Sequence, residues 1–225
     1  MNAQATGPGS PRGCFITLEG GEGTGKSTQA KRLSAWLREH GLSVVTTREP
    51  GGSPGAESIR ELLVTGDAGR WDALTETLLH FAARRDHLVK TIRPALARGD
   101  WVVSDRFADS TMAYQGFGHG LGPDPVETLG RLVLDGVQPD LTLILDLPVP
   151  EGLARAGARF EQDGGDEHRY ESMDAAFHER LRKGFHAIAA GEPQRCILIE
   201  ASGGIEDVAA AIRKAVKEKL GRFMP

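Results

Sequence analysis

Residues Gly20-Gly-Glu-Gly-Thr-Gly-Lys-Ser27 satisfy G-x-x-x-x-G-K-[ST] without exception. They stand between a short apolar run, Cys14 to Leu18, and a stretch with helical spacing, Lys26 to His40. No other feature of the chain constrains its fold as strongly. A glycine-rich turn from strand to helix places a ring of backbone N–H groups at a helix N-terminus, where partial positive charge collects. Polyphosphate is what such a ring accepts. Gly20, Gly21, Gly23 and Gly25 let the amides curl inward, and Glu22, Thr24 and Thr28 complete the loop and the first turn. Lys26 brings a full cation to the β- and γ-phosphates, and the Ser27 hydroxyl suits the Mg²⁺ that accompanies ATP.

The rest of the chain continues the strand–helix alternation. Strands are expected at 14–18, 43–47, 101–105, 141–145 and 196–199. Helices are expected at 26–40, 54–64, 74–98 (bent near Pro94), 124–135, 150–160, 171–190 and 205–220. Five short apolar strands separated by helices predict an α/β fold, a P-loop NTPase-type five-stranded parallel sheet with helices on both faces. Ligands of such sheets sit beyond the carboxyl ends of the strands. The residues that follow strands are therefore the candidates: the loop itself, Arg48-Glu49-Pro50, Asp105-Arg106 and Asp146. Residues 1–12, rich in small and turn-forming residues, read as a disordered tail before a single domain at 13–225.

Charge and cysteine content narrow the class. Lys and Arg number 27 against 31 Asp and Glu, a net charge of −4, which argues against a dedicated nucleic-acid binder. No run reaches the roughly 18 apolar residues of a membrane span, and Cys14 and Cys196 make no disulfide framework. A cytoplasmic protein with two buried thiols is the expectation. A guanine-specific N-K-x-D signature is absent, and neither Asp105 nor Asp146 is followed by the Glu usual in motor ATPases. A small kinase with a closing lid is left. Arg48, Arg60, Arg84, Arg85 and Arg106, scattered in an acidic chain, point to an acceptor that itself carries phosphate, for which bidentate guanidinium is suited.

Three stretches give this pattern a family likeness. Phe15 to Thr28, Thr47-Arg-Glu-Pro-Gly-Gly52, and Asp105-Arg-Phe107 with Ser110-Thr-Met-Ala-Tyr-Gln-Gly116 resemble the thymidylate kinases, in their bacterial branch, and the likeness runs from Cys14 to Leu220. It implies a nucleoside monophosphate kinase-like fold that converts dTMP to dTDP with ATP and Mg²⁺, in dTTP synthesis, and usually acts as a homodimer. By the same resemblance, Glu22 lies near the acceptor sugar and the metal, and Asp105 near the metal through water. Arg48 and Arg106 hold the acceptor phosphate. Ser110, Thr111, Tyr114 and Gln115 line the nucleoside pocket, with Glu49 and Arg60 nearby. Arg84 reaches the base, and an aromatic ring four residues earlier stacks on it. That position is His80 here, with Phe81 beside it, so either ring is the candidate.

The loop holds no arginine, and by the resemblance to the bacterial branch this goes with arginines in a lid at about 155–170. Arg155, Arg159 and Arg169 are candidates for the catalytic cation, and the same resemblance implies that Tyr170 and Glu171 follow the lid near the acceptor. Two alternatives remain from the residues: a P-loop kinase of another monophosphate or small metabolite, and a nucleotide-binding switch without turnover.

Overall fold

The computed structural model describes residues 13–67, 69–163, 169–170 and 172–225, the side chains of 159–163 excepted. Strand β1 (Phe15–Glu19) leads through the glycine-rich loop into α1 (Lys26–Glu39). Then follow β2 (Val44–Arg48), α2 (Pro54–Val64) and α3 (Ala73–His87). A π turn (Leu88–Ile92), α4 (Arg93–Ala97) and β3 (Trp101–Asp105) come next. Helix α5 (Ala108–Thr111) runs into a second π segment (Met112–Gly118), then α6 (Pro123–Leu134) and β4 (Leu141–Asp146). The chain closes with α7 (Val149–Asp163), α8 (Ala175–Gly191), β5 (Cys196–Glu200) and α9 (Ile205–Leu220).

The five strands form one parallel sheet in the order β2-β3-β1-β4-β5. The fold class is the expected one. The chain winds to one side of β1 and then crosses to the other, so the crevice at the carboxyl end of β1 is the switch point where ligands settle. Strand β1 shows how alternation divides the core. Ile16 and Leu18 enter one hydrophobic layer with Leu33 and Leu37 of α1 and Ile212 and Val216 of α9. Phe15 joins the opposite layer with Leu88, Ile92 and Phe107. Each such side chain, fully buried, contributes about 1.5–3 kcal/mol relative to exposure. Thr17 and Glu19 share the face of Phe15, and that is the face on which the site is built.

Two elements differ from expectation. The stretch 74–98 is not one bent helix. Asp72 caps α3 by accepting from Leu74 N and Thr75 N, both at 3.0 Å. The helix then widens into the π turn before Pro94. Proline has no N–H for the carbonyl four residues back and clashes with it, and a wider turn accommodates this. The second difference is Ala108–Gly118, which carries no helical signal in sequence. Packing, not propensity, shapes it. A Cβ on Gly118 would lie 2.7 Å from the Phe177 ring, and one on Gly184 2.8 Å from Phe117. The π segment and α8 therefore meet at backbone distance. Among the described residues no helix is long and apolar enough to cross a membrane.

Candidate active site

A cleft of about 400 Å³ opens at the carboxyl ends of β1, β2 and β3. Gly23, Gly25, Lys26, Ser27 and Thr28 form its loop end. Gly20 is buried, and Gly21 and Thr24 face a smaller pocket behind the loop. Gly23 (φ 69°) is backed by α7 so closely that a Cβ there would lie 2.0 Å from Gly152 O. Helix α7 thus starts directly on the phosphate loop.

Lys26 is nearly buried, its Nζ donating to Gly21 O at 2.6 Å, with Thr24 Oγ1 at 3.3 Å. Burial, reinforced by the Arg106 guanidinium, lowers its pKa to about 8. The charge is therefore present at pH 7 and lost as pH rises through 8. ATP affinity of the free enzyme should follow: calorimetric titration at pH 9 should give a Kd about tenfold weaker than at pH 7, because about a tenth of the lysine remains charged. A flat profile from pH 7 to 9.5 would remove Lys26 from triphosphate binding.

Behind the loop, three side chains converge. Arg106 Nη2 donates to Glu22 Oε1 at 3.0 Å, Tyr114 OH donates to the same oxygen at 2.5 Å, and the Arg106 guanidinium lies 4.8 Å from the centre of the Tyr114 ring. Burial opposes charge on Glu22, yet Arg106, Lys26 and the Tyr114 hydroxyl outweigh it and hold the pKa at about 2. Burial pushes the Tyr114 hydroxyl well up. Arg106 has φ 72°, a left-handed conformation uncommon for a non-glycine residue and a place where backbone strain is stored at functional sites. The turn is pinned by Glu19, which accepts from Phe107 N at 2.7 Å and Ser110 Oγ at 2.5 Å. Burial and the neighbouring Asp109 raise the Glu19 pKa to about 8.

Ser27 Oγ donates to Asp105 Oδ2, and Asp105 Oδ1 is buried without a hydrogen-bond partner. A hydroxyl and an orphaned anionic oxygen beside the loop fit a divalent cation. Among the described residues no group of three or more His, Cys, Asp or Glu is placed to hold an ion alone. Mg²⁺ takes one or two protein ligands and completes its shell with phosphates and water.

The same cleft is lined beyond the loop by Arg48, Glu49, Arg60, His80, Thr111, Gln115 and Tyr170. Arg48 ends β2 beside Asp105 in register and pairs with Glu57 at 3.2 Å, half exposed. Arg60 donates to Pro50 O at 2.7 Å. His80 Nε2 is 2.9 Å from Tyr170 OH, which donates to Glu76 at 3.0 Å, so the imidazole supplies the proton of the first bond. Burial lowers the His80 pKa to about 4 and keeps the ring neutral. Phe81 does not line the cleft; it is buried, 5.0 Å from the Arg84 guanidinium. Arg84 lies behind the wall rather than in it, donating to Glu49 Oε2 at 2.7 Å, Thr111 Oγ1 at 3.0 Å and Phe107 O at 2.9 Å. Glu49 also accepts from His87 at 2.9 Å.

Arg155 and Arg169 are not brought to the loop. Arg155 donates to Ala201 O at 2.9 Å and Ser202 O at 3.2 Å and pairs with Glu151. Arg169 lines the far end of the cleft, but its guanidinium is buried against Leu63 O and Asp67 O, both at 3.1 Å, and paired with Glu76. Those carbonyls lie at and just beyond the C-terminus of α2, where carbonyl groups lack helical partners and the dipole is negative. The Arg159 side chain, Glu171, residues 164–168 and the tail 1–12 lie outside the described residues. Asp146 is also apart from the main cleft, held by Arg182 at 2.8 Å and His186 at 2.9 Å.

Sequence reading passed over Glu19 and Glu76. Glu19 is a charged residue ending an otherwise apolar buried strand, and Glu76 stands one helical turn before His80. Both were signals, since an ionisable residue inside a core-forming pattern implies a partner.

A five-stranded parallel sheet with a phosphate loop at its switch point, a second basic subsite across the cleft and a lid helix rooted on the loop define a P-loop kinase of the nucleoside monophosphate type. The family model "Thymidylate kinase" matches residues 18–212. The chain is 55% identical to the thymidylate kinase of Caulobacter vibrioides over 210 residues, covering 93% of this chain and 99% of that one. It is 53% identical to that of Gluconobacter oxydans over 212 residues, covering 93% and 96%. The crystal structure of thymidylate kinase from Ehrlichia chaffeensis superposes with a TM-score of 0.72 at 36% identity, covering 92% of this chain and all of that one. The chain belongs to the thymidylate kinase family.

Proposed function

We propose that this protein transfers the γ-phosphoryl group of ATP to the 5′-phosphate of dTMP, giving dTDP and ADP. The observation that carries this reading is that one cleft is lined by Lys26 and Ser27 of the loop together with Glu22, Arg106, His80 and Gln115. Two polyanions brought end to end repel, and cations between them offset that repulsion.

The loop amides and Lys26 hold the donor triphosphate. Arg106, with Arg48 at the rim, holds the acceptor phosphate. Glu22 keeps Arg106 and Tyr114 in place. Tyr114 packs beside the sugar and leaves no room for a 2′-hydroxyl, His80 rather than Phe81 offers the face that stacks on the base, and Gln115 meets the base edge. Arg84 shapes this wall from behind. The acceptor phosphate is already an anion, so no strong general base is required, and in-line transfer rests on positioning and charge stabilisation. Ser27 and, through water, Asp105 would hold Mg²⁺, which would supply charge neutralisation at the phosphates. Lys26 and Arg106 supply positive charge to the moving phosphoryl group, while Arg155 and Arg169 are committed to carbonyls.

Homodimerisation is supported by Leu74 and Leu78, four residues apart on α3 and 44% and 49% exposed. Two buried cysteines that form no disulfide suit a cytoplasmic setting.

An ADP-release assay across nucleoside monophosphates tests the reading. dTMP should be the best acceptor. dUMP lacks one methyl, worth about 1–3 kcal/mol, and should be slower but real. Faster turnover of another monophosphate, or no ADP with any acceptor, would contradict it.

A further inference from the structure

Glu76 takes no part in the transfer, yet its carboxylate joins three elements around the nucleoside end of the cleft. It stands in the first turn of α3 with its side chain wholly buried. Its Oε1 accepts from Gln115 Nε2 at 2.6 Å and from Tyr170 OH at 3.0 Å, and His119 Nε2 lies 3.4 Å away. Its Oε2 pairs with the guanidinium of Arg169.

The consequence lies in Gln115. A carboxylate paired with a guanidinium only accepts hydrogen bonds. The Gln115 amide must therefore turn its nitrogen toward Glu76. That leaves Gln115 Oε1 buried with no hydrogen-bond partner, on a residue that lines the cleft. A buried carbonyl left in this state is costly until a donor reaches it. Thymine and uracil carry an N–H at ring position 3; cytosine carries a lone pair there. An amide free to turn would serve either base, and one locked by a carboxylate serves only the first kind.

We infer that Glu76 is the positioning residue that sets base selectivity: by locking the Gln115 amide with its carbonyl available to the ligand, it makes the acceptor site one for an imide N–H and against cytosine. This rests on the reading above that Gln115 meets the base edge. Tyr170 and Arg169, held by the same carboxylate, close that edge from the lid side.

The test is kcat/KM for dTMP and dCMP with the full chain, for the native protein, Glu76→Gln and Gln115→Leu. The Glu76→Gln carboxamide can accept from or donate to Gln115, so the lock is lost. The dCMP-to-dTMP ratio of kcat/KM should rise at least about tenfold, through KM for the monophosphate, with KM for ATP within about threefold. Gln115→Leu should lower dTMP turnover and narrow the ratio. Equal loss with both monophosphates in Glu76→Gln, alongside a narrowed ratio in Gln115→Leu, would make Glu76 merely structural and overturn the inference alone. An unchanged ratio in Gln115→Leu would overturn the base-edge reading and the inference with it. Should Glu76→Gln not fold, NMR of the native protein decides. The Gln115 Nε2 protons should be downfield and protected from exchange both before and after dTMP is added; protons that become protected only with dTMP would contradict the lock.

Discussion

Lys26→Ala lowers kcat at saturating ATP and dTMP by at least about 100-fold, the loss that follows removal of one preorganised donor from an enclosed site. The loop holds no arginine, and Arg155 and Arg169 are bound to carbonyls elsewhere, so neither of them replaces the lysine at the donor end. Its ammonium already sits among loop oxygens, 2.6 Å from Gly21 O. ATP affinity should fall too, but the kcat effect separates transition-state stabilisation from binding. Steady-state kinetics, with a melting curve to establish that the variant folds, make the measurement. A kcat within tenfold of the native value would contradict the assignment.

Arg106→Ala has the larger effect and a different signature. The loss in kcat/KM for dTMP should reach about 1000-fold, the lower range for arginines that stabilise a transferring phosphoryl group. Two causes add. The acceptor phosphate loses its buried cation, and Glu22 loses the strongest of the groups that offset its charge beside the incoming phosphates. Calorimetry should show dTMP binding abolished or greatly weakened and ATP binding within about threefold. ATP affinity lost with dTMP affinity kept would reverse the roles of the two ends of the cleft.

How far these roles were legible in the sequence depends on how local their causes are. The loop was readable because strand, turn and helix are contiguous and each residue type has one reason to be there. The parallel sheet followed from five apolar runs, and its strand ends delivered Arg48, Asp105 and Arg106. Contacts across the sequence were not readable. Nothing local says that Arg169 docks on the end of α2, 106 residues from Leu63. Nor does anything local say that Arg84 turns to Glu49 and Thr111 instead of the cleft, or that Glu76 gathers Gln115 and Tyr170. The choice between His80 and Phe81 was open for a similar reason. Their side chains differ by about 100° on α3, and which of them faces the cleft depends on how that helix packs. The segment Ala108–Gly118 was missed because its conformation comes from α8, through contacts at Gly118 and Gly184.

The central claim is that donor and acceptor phosphates meet in one cleft between Lys26 and Arg106. A crystal structure of the protein with dTMP and a non-hydrolysable ATP analogue tests it most directly. The account predicts the 5′-phosphate of dTMP at Arg106, facing the terminal phosphate held by Lys26, with the base against His80 and Gln115. dTMP absent from this cleft, or bound with its 5′-phosphate turned away from Lys26, would contradict it.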